Sequence, residues 1–166
     1  FHDGEPFTAH DVKYSFERLL NPATASPLTW VLEDTGIVGI DEYVSGAADG
    51  ISGIEVLDDY TVRITLAAPY AMFLHHLAMP AAHIVPEHVA SQLEQGEDLS
   101  GNPVGTGPFI LDNRLADSHL SLRANFDYFA GRPNIDGVLY RVITDPLIAW
   151  EEFNAAAEAL KAAGVT

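Results

Sequence analysis

Between Phe7 and Pro22 the sequence FTAHDVKYSFERLLNP specifies the start, the buried face and the end of one helix. Thr8 can cap the amide of Asp11 while the Asp11 carboxylate reaches back, and Phe7 can staple to Val12. Such a cap contributes on the order of 1 kcal/mol. Val12, Phe16, Leu19 and Leu20 recur at i, i+4, i+7 and i+8, opposite Lys13, Glu17 and Arg18, until Asn21-Pro22 stops the helix. A helix with one apolar stripe needs a second layer to cover it. The 48% hydrophobic content of the 166 residues suffices to build one.

The remaining pattern indicates what that layer is. Ile54 and Val56, then Val62, Ile64 and Leu66, alternate on either side of Asp58-Asp59 and predict a hairpin. Tyr70, Phe73, Leu74 and Leu77 predict a short helical stripe, and Pro80 and Pro86 break the next region into short elements. Strands are expected at Phe109–Leu111, Leu120–Ala124 and Val138–Ile143. A last helix begins at Asp145-Pro146, carries Trp150, Phe153, Ala157 and Leu160, and stops at Gly164. Strands and helices are interspersed without a strand-helix period, which indicates an α+β fold.

Charge and composition exclude several classes. With 24 acidic against 8 basic side chains, the net charge of -16 repels phosphate backbones and anionic lipid surfaces, so nucleic acid is not an expected partner. No apolar run reaches the length needed to cross a bilayer as a helix. The absence of cysteine excludes disulfides and thiol chemistry. The opening FHDGEPF has no basic, apolar leader, and the sequence is expected to be a processed or excised segment.

The segment GNPVGTGPFIL, Gly101 to Leu111, resembles a phosphate loop only superficially. No Lys-Ser/Thr pair follows its last glycine, and Pro108 and an apolar strand stand where an anion-binding helix would begin. No cofactor is therefore expected. The acidic pairs Glu33-Asp34, Asp58-Asp59 and Glu151-Glu152 could suggest a hydrolase. Adjacent carboxylates diverge, however, and there is neither a G-x-S-x-G elbow nor a cysteine nucleophile, so no catalytic residue is assigned. His75, His76, His83 and His88 fall within fourteen positions and offer an alternative reading as a nickel- or metal-binding module. The adjacent pair points about 100° apart on a helix, which favours surface histidines and no metal site.

Four stretches follow one another in order: FHDGEPFTAHDVKYSFERLLNP, ISGIEVLDDYTVRITLAAPYAMFLHHLA, GNPVGTGPFIL and NFDYFAGRPNIDGVLYRVI. This succession resembles the family 5 extracellular solute-binding proteins of ABC importers, the peptide, dipeptide and nickel binders. The resemblance implies part of a type II periplasmic-binding-protein fold, a two-lobed trap with small mixed sheets and flanking helices. Residues 1–104 would be the small subdomain of the amino-terminal lobe, incomplete at its start. Residues 105–166 would be the crossing segment with the first strands and helix of the ligand-binding lobe. Beyond about Pro146 the tail departs from the family's pattern.

The implied function is capture of an oligopeptide or dipeptide-like solute in the periplasm, or outside the cell on a membrane tether, for delivery to an ABC permease in the membrane. No chemistry is done on the cargo. The resemblance leaves peptide, nickel chelate and sugar open as ligands, and a chain without the opposing lobe is expected to bind weakly. Trp30, with Leu28 beside it, lies where peptide-binding members place an aromatic residue facing the cleft; the alternative is that Trp30 packs in the core. Gly105, Thr106, Gly107 and Pro108 are expected to shape the crossing, the glycines by positive φ and close backbone approach, so that Gly107→Ala would be costly.

Overall fold

The helix coded at the start of the chain spans Ala9–Leu20 (α1). The computed structural model describes residues 1–93, 99–101 and 103–164. The chain divides into two units, 1–106 and 107–166. In the first, α1 is followed by Trp30–Glu33 (α2), Ile40–Val44 (α3), the strands Ile54–Asp58 (β1) and Thr61–Ile64 (β2), Phe73–Leu77 (α4) and Glu87–Ala90 (α5). Single 3-10 turns lie at Pro22–Thr24 and Pro80–Ala82.

The stripe on α1 builds the core of this unit. Phe16, Leu19 and Leu20 pack with Leu32, Ile37, Ile40, Ile51, Ile54 and Ala82, while Val12 lies at the margin. Each buried apolar side chain of this size contributes about 1.5–3 kcal/mol. The helix also buries Asp11 and Ser15, and both are satisfied. The capping box between Thr8 and Asp11 forms. Asp11 accepts from the Thr8 amide at 2.8 Å and, through its other oxygen, from the Glu87 amide at 2.9 Å. Ser15 Oγ accepts from the Val85 amide at 2.9 Å. One helix face thus secures a segment about seventy residues later, because a buried amide without a partner would cost more than the hydroxyl's burial.

The expected hairpin is present, with Ile54 opposite Ile64 and Val56 opposite Val62. The Asp58 carboxylate accepts from the Tyr60 amide at 2.9 Å and fixes the turn. Gly53, just before β1, lies where two backbones converge: a Cβ there would sit 2.6 Å from the Val38 carbonyl oxygen and 2.9 Å from that of Thr65. Leu74 departs from the expected stripe. It is 72% exposed, while Phe73 and Leu77 pack on the core. A five-residue helix makes little more than one turn, and periodicity over one turn does not select a face.

The second unit contains the strands Phe109–Leu115 (β3), His119–Ala124 (β4) and Gly137–Arg141 (β5), followed by Pro146–Ala162 (α6). The strands form one antiparallel sheet in the order β3-β4-β5. Asp145 caps α6 by accepting from the Leu147 amide at 2.8 Å, and Gly164 follows the helix with φ +75°. Arg141 of β5 pairs with Glu152 of α6. Large apolar side chains remain uncovered, including Phe129 at 83% exposure and Phe153 at 65%, and Trp150 and Phe153 stack at 6.0 Å.

Candidate ligand-facing surface

The sequence SPLTWVLE turns before it coils. Ser26 Oγ accepts from the Leu28 amide at 3.2 Å, and the Leu28 and Thr29 carbonyls accept from Val31 and Leu32 to start α2. Val31 and Leu32 are fully buried, which leaves Leu28 and Trp30 on the outer side at 42% and 43% exposure. Trp30 is therefore not a core residue. It sits at the surface of the first unit, next to core residues in sequence and open to solvent on part of its surface.

His76 of α4 meets this segment. Its Nδ1 is 2.7 Å from the Val31 carbonyl oxygen and its Nε2 is 3.0 Å from the Tyr70 hydroxyl. A carbonyl only accepts, so Nδ1 carries the proton, and in the neutral ring Nε2 accepts from Tyr70. The Val31 carbonyl belongs to the last turn of α2, where no intrahelical donor reaches. His76 supplies that donor. Trp30 and Tyr70 both pack edge-on to the imidazole, with ring centroids 6.2 Å and 5.5 Å away. The expectation that all four clustered histidines are surface residues is thus corrected for His76: both of its nitrogens are engaged, one of them with the backbone 45 positions earlier.

The other histidines lie apart. His75 and His83 are exposed. His88 Nε2 is 2.7 Å from Asp3 Oδ2, and its ring meets Phe1 at 6.0 Å. Burial pushes the Asp3 carboxyl up, but the hydrogen bond with His88 and the Glu5 amide outweigh it and hold the carboxyl below its ordinary value. Among the described residues no group of three or more His, Asp or Glu is placed to hold a metal ion. The acidic pairs have structural surroundings as well. Asp58 closes the hairpin turn, and Glu152 holds Arg141.

The reason expected for the glycines of the crossing does not hold. Neither Gly105 nor Gly107 has positive φ. A Cβ on Gly105 would meet nothing closer than His2 Cε1 at 3.8 Å, and one on Gly107 nothing closer than the Phe109 carbonyl oxygen at 3.9 Å. Hydrogen bonds hold this segment instead. Within the first unit Gly105 is bonded to His2, and within the second Asn125 donates from Nδ2 to the Gly107 carbonyl at 3.1 Å and from its amide to the Pro108 carbonyl at 2.9 Å. Asn125 opens the NFDYF stretch, where its side chain resembles an ordinary loop asparagine until the fold brings Gly107 to it.

Two surface concavities lie elsewhere. His10, Lys13, Glu55 and Arg63 rim one in the first unit; Asp117, His119 and Arg141 rim one in the second. Lys13 pairs with Glu17, Arg63 with Glu55 and Arg141 with Glu152, so their cations are neutralised by the protein itself. The Leu28–Trp30 surface differs from both in offering exposed apolar and aromatic area.

Residues 1–164 match the family described as bacterial extracellular solute-binding proteins, family 5 Middle. The chain belongs to this family. Among its family relatives, Di/tripeptide-binding protein 2 of Pseudomonas aeruginosa is 35% identical over 149 residues, covering 88% of this chain and 27% of the relative. The periplasmic oligopeptide-binding protein OppA of Salmonella typhimurium is 33% identical over 128 residues, covering 76% of this chain and 24% of OppA. The chain thus spans about a quarter of the length of these curated family members.

The fold agrees with the family. The murein tripeptide binding protein MppA of Escherichia coli superposes with a TM-score of 0.78 at 28% identity, over 93% of this chain and 30% of MppA. NikZ of Campylobacter jejuni, solved in complex with Ni(L-His), superposes with a TM-score of 0.74 at 27% identity, over 94% of this chain and 28% of NikZ. The α+β architecture is that of type II periplasmic binding proteins. Among the described residues no helix is long and apolar enough to cross a membrane.

Proposed function

We propose that the chain is part of the substrate-binding component of an ABC transporter, which captures an oligopeptide or dipeptide-like solute outside the cytoplasmic membrane and delivers it unaltered to a membrane permease. The observation that carries this reading is the family match over residues 1–164, joined to a di/tripeptide-binding relative at 35% identity. Residues 1–104 then act as the small subdomain of the amino-terminal lobe. Residues 105–166, starting with Gly105, Thr106, Gly107 and Pro108, lead into the ligand-binding lobe, whose remaining parts cover the exposed apolar residues of the second unit. The compartment is the periplasm, or the cell exterior with a membrane tether.

Trp30 and Leu28 give the peptide an apolar contact on the first unit. Their partial exposure above the buried Val31 and Leu32 supports this role, because a rigid platform loses little freedom when a ligand docks. Cargo held between two lobes is bound by closure, with no bond made or broken. A thermal-shift screen of the intact protein against di-, tri- and longer peptides, sugars and nickel-histidine tests the reading. Peptides are expected to raise the melting temperature in proportion to occupancy. A rise with nickel-histidine or sugars and none with any peptide would reject it.

A further inference from the structure

We propose that His76 is a positioning residue for the ligand-contacting Trp30, and that Tyr70 holds the imidazole in place through its other ring nitrogen. The inference rests on the reading of Trp30 as a ligand contact and adds the residues that aim it.

Helix α2 has four residues, too few to hold itself by its own hydrogen bonds. Two kinds of anchor fix it. Val31 and Leu32 are buried, which sets its depth. The His76 Nδ1–H bond to the Val31 carbonyl, at 2.7 Å, sets the orientation of the peptide plane that follows the Trp30–Val31 unit. The same imidazole provides the edge against which the indole rests, at 6.2 Å and an interplanar angle of 79°. The backbone beside Trp30 and one side of its ring are therefore both defined by one side chain. The 43% of the Trp30 surface that stays exposed is left for a ligand.

This arrangement needs the proton on Nδ1. With the proton on Nε2 instead, a nitrogen lone pair would face the Val31 carbonyl lone pairs and the bond would be lost. The Val31 carbonyl, which can only accept, selects the required tautomer, and the Tyr70 hydroxyl, 3.0 Å from Nε2 and able to donate or accept, completes it by donating to that nitrogen. The Tyr70 ring also packs on the imidazole at 5.5 Å. Tyr70, His76, Val31 and Trp30 form one sequence of dependence from α4's approach to the exposed indole.

The test uses the intact protein labelled with 5-fluorotryptophan, the Trp30 resonance being assigned by its loss in Trp30→Phe, together with nitrogen NMR of the His76 ring. The ring is expected to show a protonated Nδ1 and an unprotonated Nε2. His76→Phe keeps an aromatic edge without the donor, and is expected to move or broaden the Trp30 signal and weaken tripeptide affinity about fivefold to tenfold. His76→Asn places an amide N–H near the Nδ1 position and is expected to restore most of both. Tyr70→Phe, a milder change if His76→Phe does not fold, removes the partner of Nε2 and is expected to loosen the ring and move the Trp30 signal in the same direction by a smaller amount. The proposal is overturned if His76 carries its proton on Nε2, if neither His76→Phe nor Tyr70→Phe moves the Trp30 signal, or if His76→Asn disrupts as much as His76→Phe. These outcomes are read in the ligand-free protein. A Trp30 signal that depends on His76 but ignores saturating peptide would instead reject the ligand contact itself.

Discussion

His2 and Gly105, 103 positions apart, exchange two hydrogen bonds: the His2 amide donates to the Gly105 carbonyl at 2.8 Å, and the Gly105 amide donates to His2 Nδ1 at 3.3 Å. The two ends of the first unit are tied together by this pair. Removing the ring acceptor in His2→Ala leaves the Gly105 amide to open more readily. Its hydrogen exchange is expected to speed up about fivefold, the equivalent of about 1 kcal/mol. An exchange rate equal to wild type would show that the ring contributes nothing.

Gly53 and Gly107 are expected to respond oppositely to alanine. At Gly53 a methyl group would lie 2.6 Å from the Val38 carbonyl oxygen, with backbone that cannot yield without parting the Ile37–Leu66 bridge region. Gly53→Ala should cost about 1–3 kcal/mol, as overpacking does. Gly107→Ala meets no atom closer than 3.9 Å at a φ outside the left-handed region. Its stability should change by less than about 1 kcal/mol, because the lost freedom of the unfolded chain offsets any small strain. Urea denaturation of the two variants beside wild type measures both, and a reversed order would contradict the packing described.

These contrasts also show which parts of the molecule were legible in the sequence. Helix α1 was, because Thr8, Asp11, the Phe16–Leu19–Leu20 stripe and Asn21-Pro22 act within one contiguous stretch. The β1–β2 hairpin was legible for the same reason: alternation and turn chemistry are both local. The glycines of the crossing misled, since glycine shows where the backbone is free and not whether that freedom is used. His76 was hidden because its partner Val31 lies 45 positions away, and no local pattern marks a histidine that completes another helix's last turn. Trp30 stood out only through the family resemblance; its exposure above a buried Val31 required the fold.

The Asp3–His88 pair gives the first unit an acid-sensitive contact. The folded-state pKa of Asp3 lies below its ordinary value of 3.8. The contact therefore stabilises the fold fully above that value, and the contribution is lost as the pH falls through the lowered one. Asp3→Asn should melt below wild type near neutral pH, and the two should converge in strong acid. A constant gap across the acid range would show that ionised Asp3 contributes nothing to the fold.

The central claim, that the surface carrying Trp30 receives a peptide which the protein holds without transforming, is tested most directly by titration calorimetry of the intact protein and its Trp30→Ala variant with one tripeptide, with mass analysis of the recovered peptide. The expected result is saturable one-to-one binding by wild type, affinity weakened about tenfold or more in the variant as for a buried aromatic anchor, and peptide returned intact. Equal affinity in the two proteins, or a cleaved peptide, would contradict it.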